Sequence, residues 1–421
     1  MLAVPEEIKK IFWQDNINEK TWRKWKLRFF DSDIQMIYPE DTLFPADDLF
    51  PVEQEPFYTI DNGQMQTESL KITESLCESD TLTYGECNAA QFEVTVADVL
   101  QDLTGKEFMV SVEVGGYEMS MGIYTVEQFT RQADRRMKKI TAYDRMRKFS
   151  TDVSTWYQGL KFPMSLREFR CSLCEYVGIK QIDVNLPLDD MQVAKTIEPE
   201  HLNGLDVIQA ICELNGCFGH MDKTGRLKYQ FLNKSGLYPS EILMPSDELF
   251  PSDLSDSENT EQIAFYKQSE TTYEDYVTQT INRVQIRQEE GDIGALYPND
   301  TGGSNTYVVE GNFLVYGKSA DDLATIASSV YDQISGISYR PCKIVTAGLP
   351  WVEVGDGLVC YTSDDVIETY CLKRTISGIQ GMMDTFEASG SSDYEENFDI
   401  QSQITQLEGK AAVIKKNVEE V

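Results

Sequence analysis

Residues 91–144 read QFEVTVADVLQDLTGKEFMVSVEVGGYEMSMGIYTVEQFTRQADRRMKKITAYD. Phe92, Val94 and Val96 share one parity in QFEVTVADV, and Phe108, Val110, Val112 and Val114 share one in FMVSVEV. GIYTVEQF and KKITAYDRM continue the same alternation. A period of two puts successive side chains on opposite faces of an extended chain, so these runs predict half-buried strands. Gly85, Gly105, Gly115 and Gly116 punctuate them as turns. Several short strands at close spacing predict an antiparallel sandwich or barrel.

Towards the N-terminus the reading stays β, with SLKIT at 69–73. KTWRKWKLRFF places Trp25, Leu27 and Phe29 on one side and Lys24, Lys26 and Arg28 on the other. Before it, VPEEIKKIFWQDN predicts a short helix. Pro5 sits near its first turn, Glu6 and Glu7 at its positive end, and Ile8, Ile11 and Phe12 on one face.

Beyond residue 150 the period changes. SLREFRCSLCEYVGI opens with Ser165 as N-cap and Glu168 three residues on, a capping box, and Gly178 ends the helix. Leu166, Phe169, Leu173 and Val177 line one face. The span Asp183 to Pro199 is loop-like. GLDVIQAICELNG predicts a second amphipathic helix with Leu205, Ile208, Ile211 or Cys212, and Leu214 facing in. CFGHMDKTGRLKYQFL then predicts a hairpin turning at Asp222-Lys223-Thr224-Gly225. Strands resume with INRVQIRQ, TYVVEGNFLVYG, LPWVEVGDGLVCYT and TYCLKRTISGI. They are interrupted by a helix capped by Ser319 and Asp322, with Leu323, Ile326, Val330 and Ile334 as its stripe.

Each β region follows a similar nonapeptide, LFPADDLFP at 43–51 and LMPSDELFP at 243–251, offset by 200 positions. The shared positions are Leu43, Pro45, Asp47, Leu49, Phe50 and Pro51 in one copy and Leu243, Pro245, Asp247, Leu249, Phe250 and Pro251 in the other. Proline fixes its own φ and extends the residue before it, so each copy reads as an extended lead-in segment to one of two related domains. After Ser389-Gly390-Ser391-Ser392, Ile400, Ile404, Leu407, Ala411, Ile414, Val418 and Val421 recur at alternating spacings of four and three. That is a heptad seam, and β-branched residues at both core positions favour three or four strands over two. The pattern runs to Val421, so the helix is expected to continue beyond it.

The expected fold is α+β, mainly β. Residues 1–155 form an N-terminal helix and a first β domain, and 156–240 an α/β insert. Residues 241–392 form a second β domain with one helix, and 393–421 a linker and coiled-coil helix. The length of 421 residues suits about three domains.

Acids number 70 against 37 Lys and Arg, a net charge of −33, which repels phosphate backbones and disfavours tight nucleic-acid binding. The basic stretch Arg131 to Lys148 reads as a solvated face or a subunit contact. The N-terminus lacks the basic start and apolar run of a signal peptide, and no stretch approaches the roughly 20 apolar residues of a membrane span. Nine scattered cysteines without an export signal predict reduced thiols and synthesis in a cytoplasm. There are two histidines, and no HExxH, GxSxG, P-loop or GxGxxG in usable context. Cys171 and Cys174 with Cys212, Cys217 and His220 have spacings that argue against zinc. No catalytic, cofactor or metal residue is assigned, and the chain is not expected to be an enzyme.

Four stretches together resemble the tail hub, or tail-associated, proteins of long-tailed bacteriophages of Gram-positive hosts, whose relatives include the hubs of contractile-tail baseplates. They are SLCESDTLTYGECNAAQFEVTV (75–96), GLDVIQAICELNGCFGHMDKTGRLKY (204–229), GLPWVEVGDGL (348–358) and RTISGIQGMMDTFEASG (374–390). The proline-acid nonapeptide is also similar to a segment of these proteins. The resemblance implies a homotrimer in the virion tail tip, each chain contributing two β-barrel-like tube domains so that three chains match a six-fold tube. Implied partners are a hexameric distal tail or tube protein, a tape-measure protein and a downstream fibre or spike, with DNA passing through the lumen unbound. The two nonapeptides would then stand about 60° apart around the trimer axis. Family members often carry lytic or carbohydrate-binding modules downstream, and the chain ends before any. A tail-associated cell-wall hydrolase or a receptor-binding adhesin are the alternatives.

Overall fold

The computed structural model describes residues 1–2, 4–12, 18, 21–31, 55–79, 81–133, 136–232, 260–264, 267–288, 294–299, 305–363 and 365–391. Both nonapeptides and the heptad segment lie outside the described residues.

The first β region is built as its alternation predicts. Helix α1 (Glu6–Phe12) precedes β1 (Lys24–Phe30), whose Trp25, Leu27 and Phe29 are fully buried. Strands β2 (Tyr58–Asp61), β3 (Lys71–Ser75), β4 (Gln91–Ala97), β5 (Glu107–Val114), β6 (Tyr117–Arg131) and β7 (Met137–Asp144) follow. Inward rings on four of them meet: Phe29 stacks on Phe108 at 4.8 Å, and Phe92 contacts Phe108 at 5.3 Å and Tyr124 at 5.4 Å. Aromatic pairs of this kind add roughly 0.5–1.5 kcal/mol to the burial of their area.

After β7 comes α2 (Ser154–Gly159), a helix that the sequence pattern did not disclose. The two-residue strands β8 (Met164–Ser165) and β9 (Gln192–Val193) pair across α3 (Leu166–Val177). Helix α3 has the predicted capping box at Ser165 and Glu168, and Gly178 ends it at φ 76°. Helix α4 (Gly204–Leu214) packs on the hairpin β10 (Phe218–Met221) and β11 (Leu227–Gln230).

The second β region comprises β12 (Thr260–Ile263), β13 (Gln268–Tyr273), β14 (Arg283–Arg287), β15 (Ala295–Tyr297) and β16 (Thr306–Glu310). Helix α5 (Ala320–Ile334) separates these from β17 (Cys342–Ala347), β18 (Gly357–Tyr361), β19 (Val366–Tyr370), β20 (Lys373–Ser377) and β21 (Met383–Ala388). The capping box at Ser319 and Asp322 is present. Two stretches read as strands are shorter than their composition suggests. TYVVEGNFLVYG breaks at Gly311 (φ 74°), and Asn312 caps a 3₁₀ turn over Phe313–Val315. LPWVEVGDGLVCYT is extended only from Gly357, because Asp356 and Gly355 (φ 93°) turn the chain before it.

Two β-barrel-like domains were expected; among the described residues the strands of both regions run in one eleven-stranded antiparallel sheet. Its order is β13-β17-β21-β20-β3-β4-β7-β6-β5-β1-β2, and the order does not return on itself among the described residues. The join is β3 with β20, in the register Glu74↔Arg374, Thr73↔Thr375 and Ile72↔Ile376. The pairing gives β3 and β20 each a neighbour from the other region and leaves β13 and β2 as the outer strands of the sheet. The second region is also not purely antiparallel. β12 pairs parallel with β18, and β14 parallel with β16, while α5 covers the small sheet β15-β14-β16.

Candidate functional site, a buried ionic junction

The β3–β20 join, the insert hairpin and the loop before β18 converge on a cluster of buried charges. The period-two pattern puts Glu74 on the inward face of β3 beside Ile72, Arg374 inward on β20 beside Ile376, and Asp384 inward on β21 beside Phe386. A charge at an inward position of an alternating strand was the available sequence signal, and sequence reading missed it.

Arg374 and Asp384 are both 0% exposed. Arg374 Nε and Nη2 each donate to one carboxylate oxygen of Asp384 at 3.0 Å. Nη2 also donates to Leu349 O at 2.8 Å, and Nη1 to Val352 O. Leu349 N closes the circuit by donating to Asp384 at 2.5 Å. The planar guanidinium fork suits this arrangement, holding β20, β21 and the 349–352 loop at once.

The hairpin turn delivers the opposite charge. Asp222 Oδ1 accepts from Thr224 N at 2.9 Å, Thr224 Oγ1 at 2.7 Å and Arg226 N at 2.8 Å, a side-chain-closed turn that leaves Lys223 at its tip. Lys223 is buried and pairs with Glu74, while Ser120 Oγ on β6 donates to Lys223 O at 2.8 Å. Arg374 Nη1 lies 3.9 Å from Glu74 Oε2. Burial pushes the Glu74 carboxyl up, but Lys223 and Arg374 outweigh it and hold it below the usual value. Beside the turn, Arg145 forks onto Glu107 at 2.8 and 2.7 Å.

A second charged knot adjoins the first. Glu353 lies 3.5 Å from Lys228 Nζ on β11 and 3.6 Å from the Met1 ammonium, which is 2.8 Å from Asp356. Burial raises the Glu353 carboxyl, and Lys228, the ammonium and Lys223 bring it down to about 2. Burial raises Asp356. His220 Nδ1 donates to Met221 O at 3.1 Å, while Nε2 is buried without a hydrogen-bond partner among the described residues. Burial, then Lys228, lowers His220 to about 4, so the imidazole is neutral near pH 7. Burial raises Asp144 to about 7; its Oδ1 caps the turn after β7 by accepting from Met146 N at 3.0 Å.

Apolar contacts reinforce the junction. Tyr84, in the loop before β4, sits against Phe218 at 5.2 Å and Tyr307 at 5.6 Å, and its N–H donates to Tyr307 Oη at 3.0 Å. Asn312 Nδ2 donates to Ala210 O at 2.9 Å and Glu213 at 2.8 Å, fastening the turn before α5 to α4. Chemically, the cluster is a lock: Lys223 with Glu74, Arg374 with Asp384 and Lys228 with Glu353 each join two segments, so removing one partner leaves the other charge uncompensated in a dry interior.

The residues singled out from sequence fall as follows. Leu43, Pro45, Leu49, Pro51, Leu243, Pro245, Leu249, Pro251, Ile400, Ile404, Leu407, Ala411, Ile414, Val418 and Val421 all lie outside the described residues. In the basic stretch, Arg136 pairs with Asp98, Lys139 with Glu93 and Arg147 with Glu127, while Arg145 and Lys148 both reach Glu107. It is therefore an ion-paired face, its charge largely cancelled by neighbouring acids. Of the cysteine group, Cys171 is exposed and Cys174, Cys212 and Cys217 are buried. Among the described residues no cluster of three or more His, Cys, Asp or Glu converges as a metal site, and no helix is long and apolar enough to cross a membrane.

No family model matches the chain, and no curated protein matches it. Solved structures do. A tail protein from Neisseria meningitidis MC58 aligns at TM-score 0.48 and 9% identity, covering 87% of this chain and 95% of that one. The prophage MuSo2 43 kDa tail protein from Shewanella oneidensis aligns at 0.47 and 11%, covering 78% and 93%. Prophage tail protein gp18 from Listeria monocytogenes EGD-e aligns at 0.44 and 10%, covering 86% and 97%.

Proposed function

We propose that this chain is a structural component of a bacteriophage tail tip, acting by assembly rather than catalysis. In this reading three copies form a hub that adapts a six-fold tail tube to three-fold symmetry. The hub closes the channel until infection, and anchors a fibre or spike below. The four stretches that resemble tail hub proteins support it. So does the β3–β20 join, the observation on which the reading rests most. The join brings the two β regions of one chain into a single sheet, so in this reading one subunit would offer two adjacent places held by that sheet. Three such subunits around an axis would offer six places, the number a six-fold tube requires.

The division at 155, 240 and 392 belongs to the same proposal, with the sheet contributed by the first and third parts and the lock supplied by the second. The heptad segment from Ile400 to Val421 would hold the three chains together along the axis. The strongly acidic composition would keep DNA sliding past the lumen wall without adhering. The partners would be a hexameric tube protein above, and tape-measure and fibre or spike proteins at either end of the channel.

Light scattering coupled to size exclusion tests the reading. The expected mass is three times the 47.9 kDa of one chain, for the protein alone or bound to its tube partner. Removing residues 393–421 is expected to weaken the trimer. A stable monomer within an assembled tip would refute the proposal, and clearing on a cell-wall zymogram would redirect it to a hydrolase.

A further inference from the structure

All nine cysteines are free thiols, and two of them touch across a module boundary. Cys87 Sγ lies 3.8 Å from Cys212 Sγ, with both side chains buried. Cys87 belongs to the loop before β4 and Cys212 to the last turn of α4, 125 positions later. The backbone is fixed on both sides of the contact. Cys87 forms a parallel bridge with Gly219, Gly219 N donates to Glu86 O at 3.2 Å, and Gly85 N donates to Cys217 O at 2.9 Å. Gly219 also leaves the space that the sulfurs occupy, since a Cβ there would stand 2.6 Å from Cys87 Sγ and 3.3 Å from Cys212 Sγ. A disulfide bond is about 2.05 Å long, so the sulfurs need to approach by roughly 1.8 Å to bond.

We propose that Cys87 and Cys212 form an oxidation-dependent staple that covalently fastens the α/β insert to the first β region. The oxidant is a small disulfide, RSSR, of the kind met in oxidising surroundings. One cysteine loses its proton and its thiolate attacks RSSR, forming a mixed disulfide and expelling RS⁻. The second thiolate then attacks the protein sulfur of that mixed disulfide, forming the Cys87–Cys212 bond and expelling the second RS⁻. The two protein protons end on two RSH, and the two electrons lost by the protein reduce the oxidant. Burial raises both thiols well above their usual pKa, so reaction waits for a local opening of α4 from the loop. The staple is thus slow to close, and shielded from small reductants afterwards. A competing pair exists within the insert: Cys217, whose Sγ donates to Cys212 O at 3.6 Å. Joining those two would fasten nothing to the sheet.

The test uses the full chain with oxidised glutathione at mild alkaline pH, followed by alkylation, digestion without reduction and mass spectrometry. The expected product is a cross-linked peptide pair containing Cys87 and Cys212. A glutathione adduct on exposed Cys171 confirms that the oxidant acted. The oxidised chain should melt about 5 °C higher than the reduced one. The same treatment should leave C87S and C212S unshifted and still shift C217S. Absence of the cross-link while Cys171 reacts, or a Cys212–Cys217 link in its place, overturns the proposal. The primary readout needs no variant, so a substitution that fails to fold does not weaken it.

Discussion

Replacing Lys223 with methionine keeps the length and apolar stem of the side chain but removes its charge from Glu74. Lys223 and Glu74 side chains are 6% and 10% exposed, so water does little to screen the loss. Breaking a buried pair by removing one partner costs about 3–5 kcal/mol. Arg374 remains 3.9 Å from Glu74, an attraction of about 4 kcal/mol at an effective dielectric constant near 20, though Asp384 already claims that guanidinium. The expected destabilisation of Lys223→Met is therefore at the low end, about 3 kcal/mol. Urea unfolding followed by both tryptophan fluorescence and circular dichroism measures it, with coincident midpoints required before a free energy is taken. Lys223→Met combined with Glu74→Gln should recover much of the loss, giving a coupling of about 2 kcal/mol. The pH dependence supplies a second check. In the native protein Glu74 is held below its ordinary value, so its contribution is present above about pH 4.3 and lost as pH falls through the folded value. Without Lys223 burial should raise that carboxyl, and its contribution is then lost as pH rises. The gap between variant and native protein should be wider at pH 7 than at pH 5. A variant within about 0.5 kcal/mol of the native protein, or a coupling near zero, would refute the lock.

Asp144→Asn probes the opposite case. Asp144 titrates near 7 in the fold, above its unfolded value, so its stabilisation is full below about pH 4 and fades as pH rises through 7. Asparagine can still cap Met146 N, so Asp144→Asn should gain on the native protein by on the order of 4 kcal/mol between pH 4 and 8, measured by thermal melts across that range. Gly85→Ala should destabilise by at least about 2 kcal/mol, since φ is +95° and the new Cβ would stand 2.7 Å from Glu213 Cβ. Gly105→Ala, at φ +73° with nothing within 4 Å among the described residues, should cost about 1 kcal/mol. Equal losses at the two sites in parallel urea titrations would show that loop strain alone, without the contact to α4, sets the effect.

Local structure was readable because it is written at short range. Trp25, Leu27 and Phe29 declare a strand by parity, and Ser165 with Glu168 and Ser319 with Asp322 declare two helix starts by their spacing. The same parity carried the information for the junction, since Glu74, Arg374 and Asp384 occupy inward positions between apolar residues. What parity cannot state is which strand lies alongside. Nothing in KITES at 71–75 or KRTIS at 373–377 names the other, because pairing two edges depends on backbone groups that every residue has. The parallel pairs β12–β18 and β14–β16 were hidden for the same reason. Helix α2 escaped because six residues are too few to show a period. Cys87 and Cys212 could be seen as buried types but not as neighbours, the contact being set by the bridge at Gly219.

The β3–β20 pairing also sets a clock on biosynthesis. Strand β3 leaves the ribosome early, with β4 to pair one of its edges, while the partner for its other edge is still 298 positions from being made. At about 5–20 residues per second that edge stays open for roughly 15–60 s. An unpaired edge is a template for any passing strand, and on a polysome the nearest candidates are identical nascent chains. The insert hairpin is translated well before β20, so Lys223 is available to pair with Glu74 first. The ionic contact can thus keep β3 aligned with its own insert while the rest of the chain is translated, so that the strand arriving last meets an edge already in register.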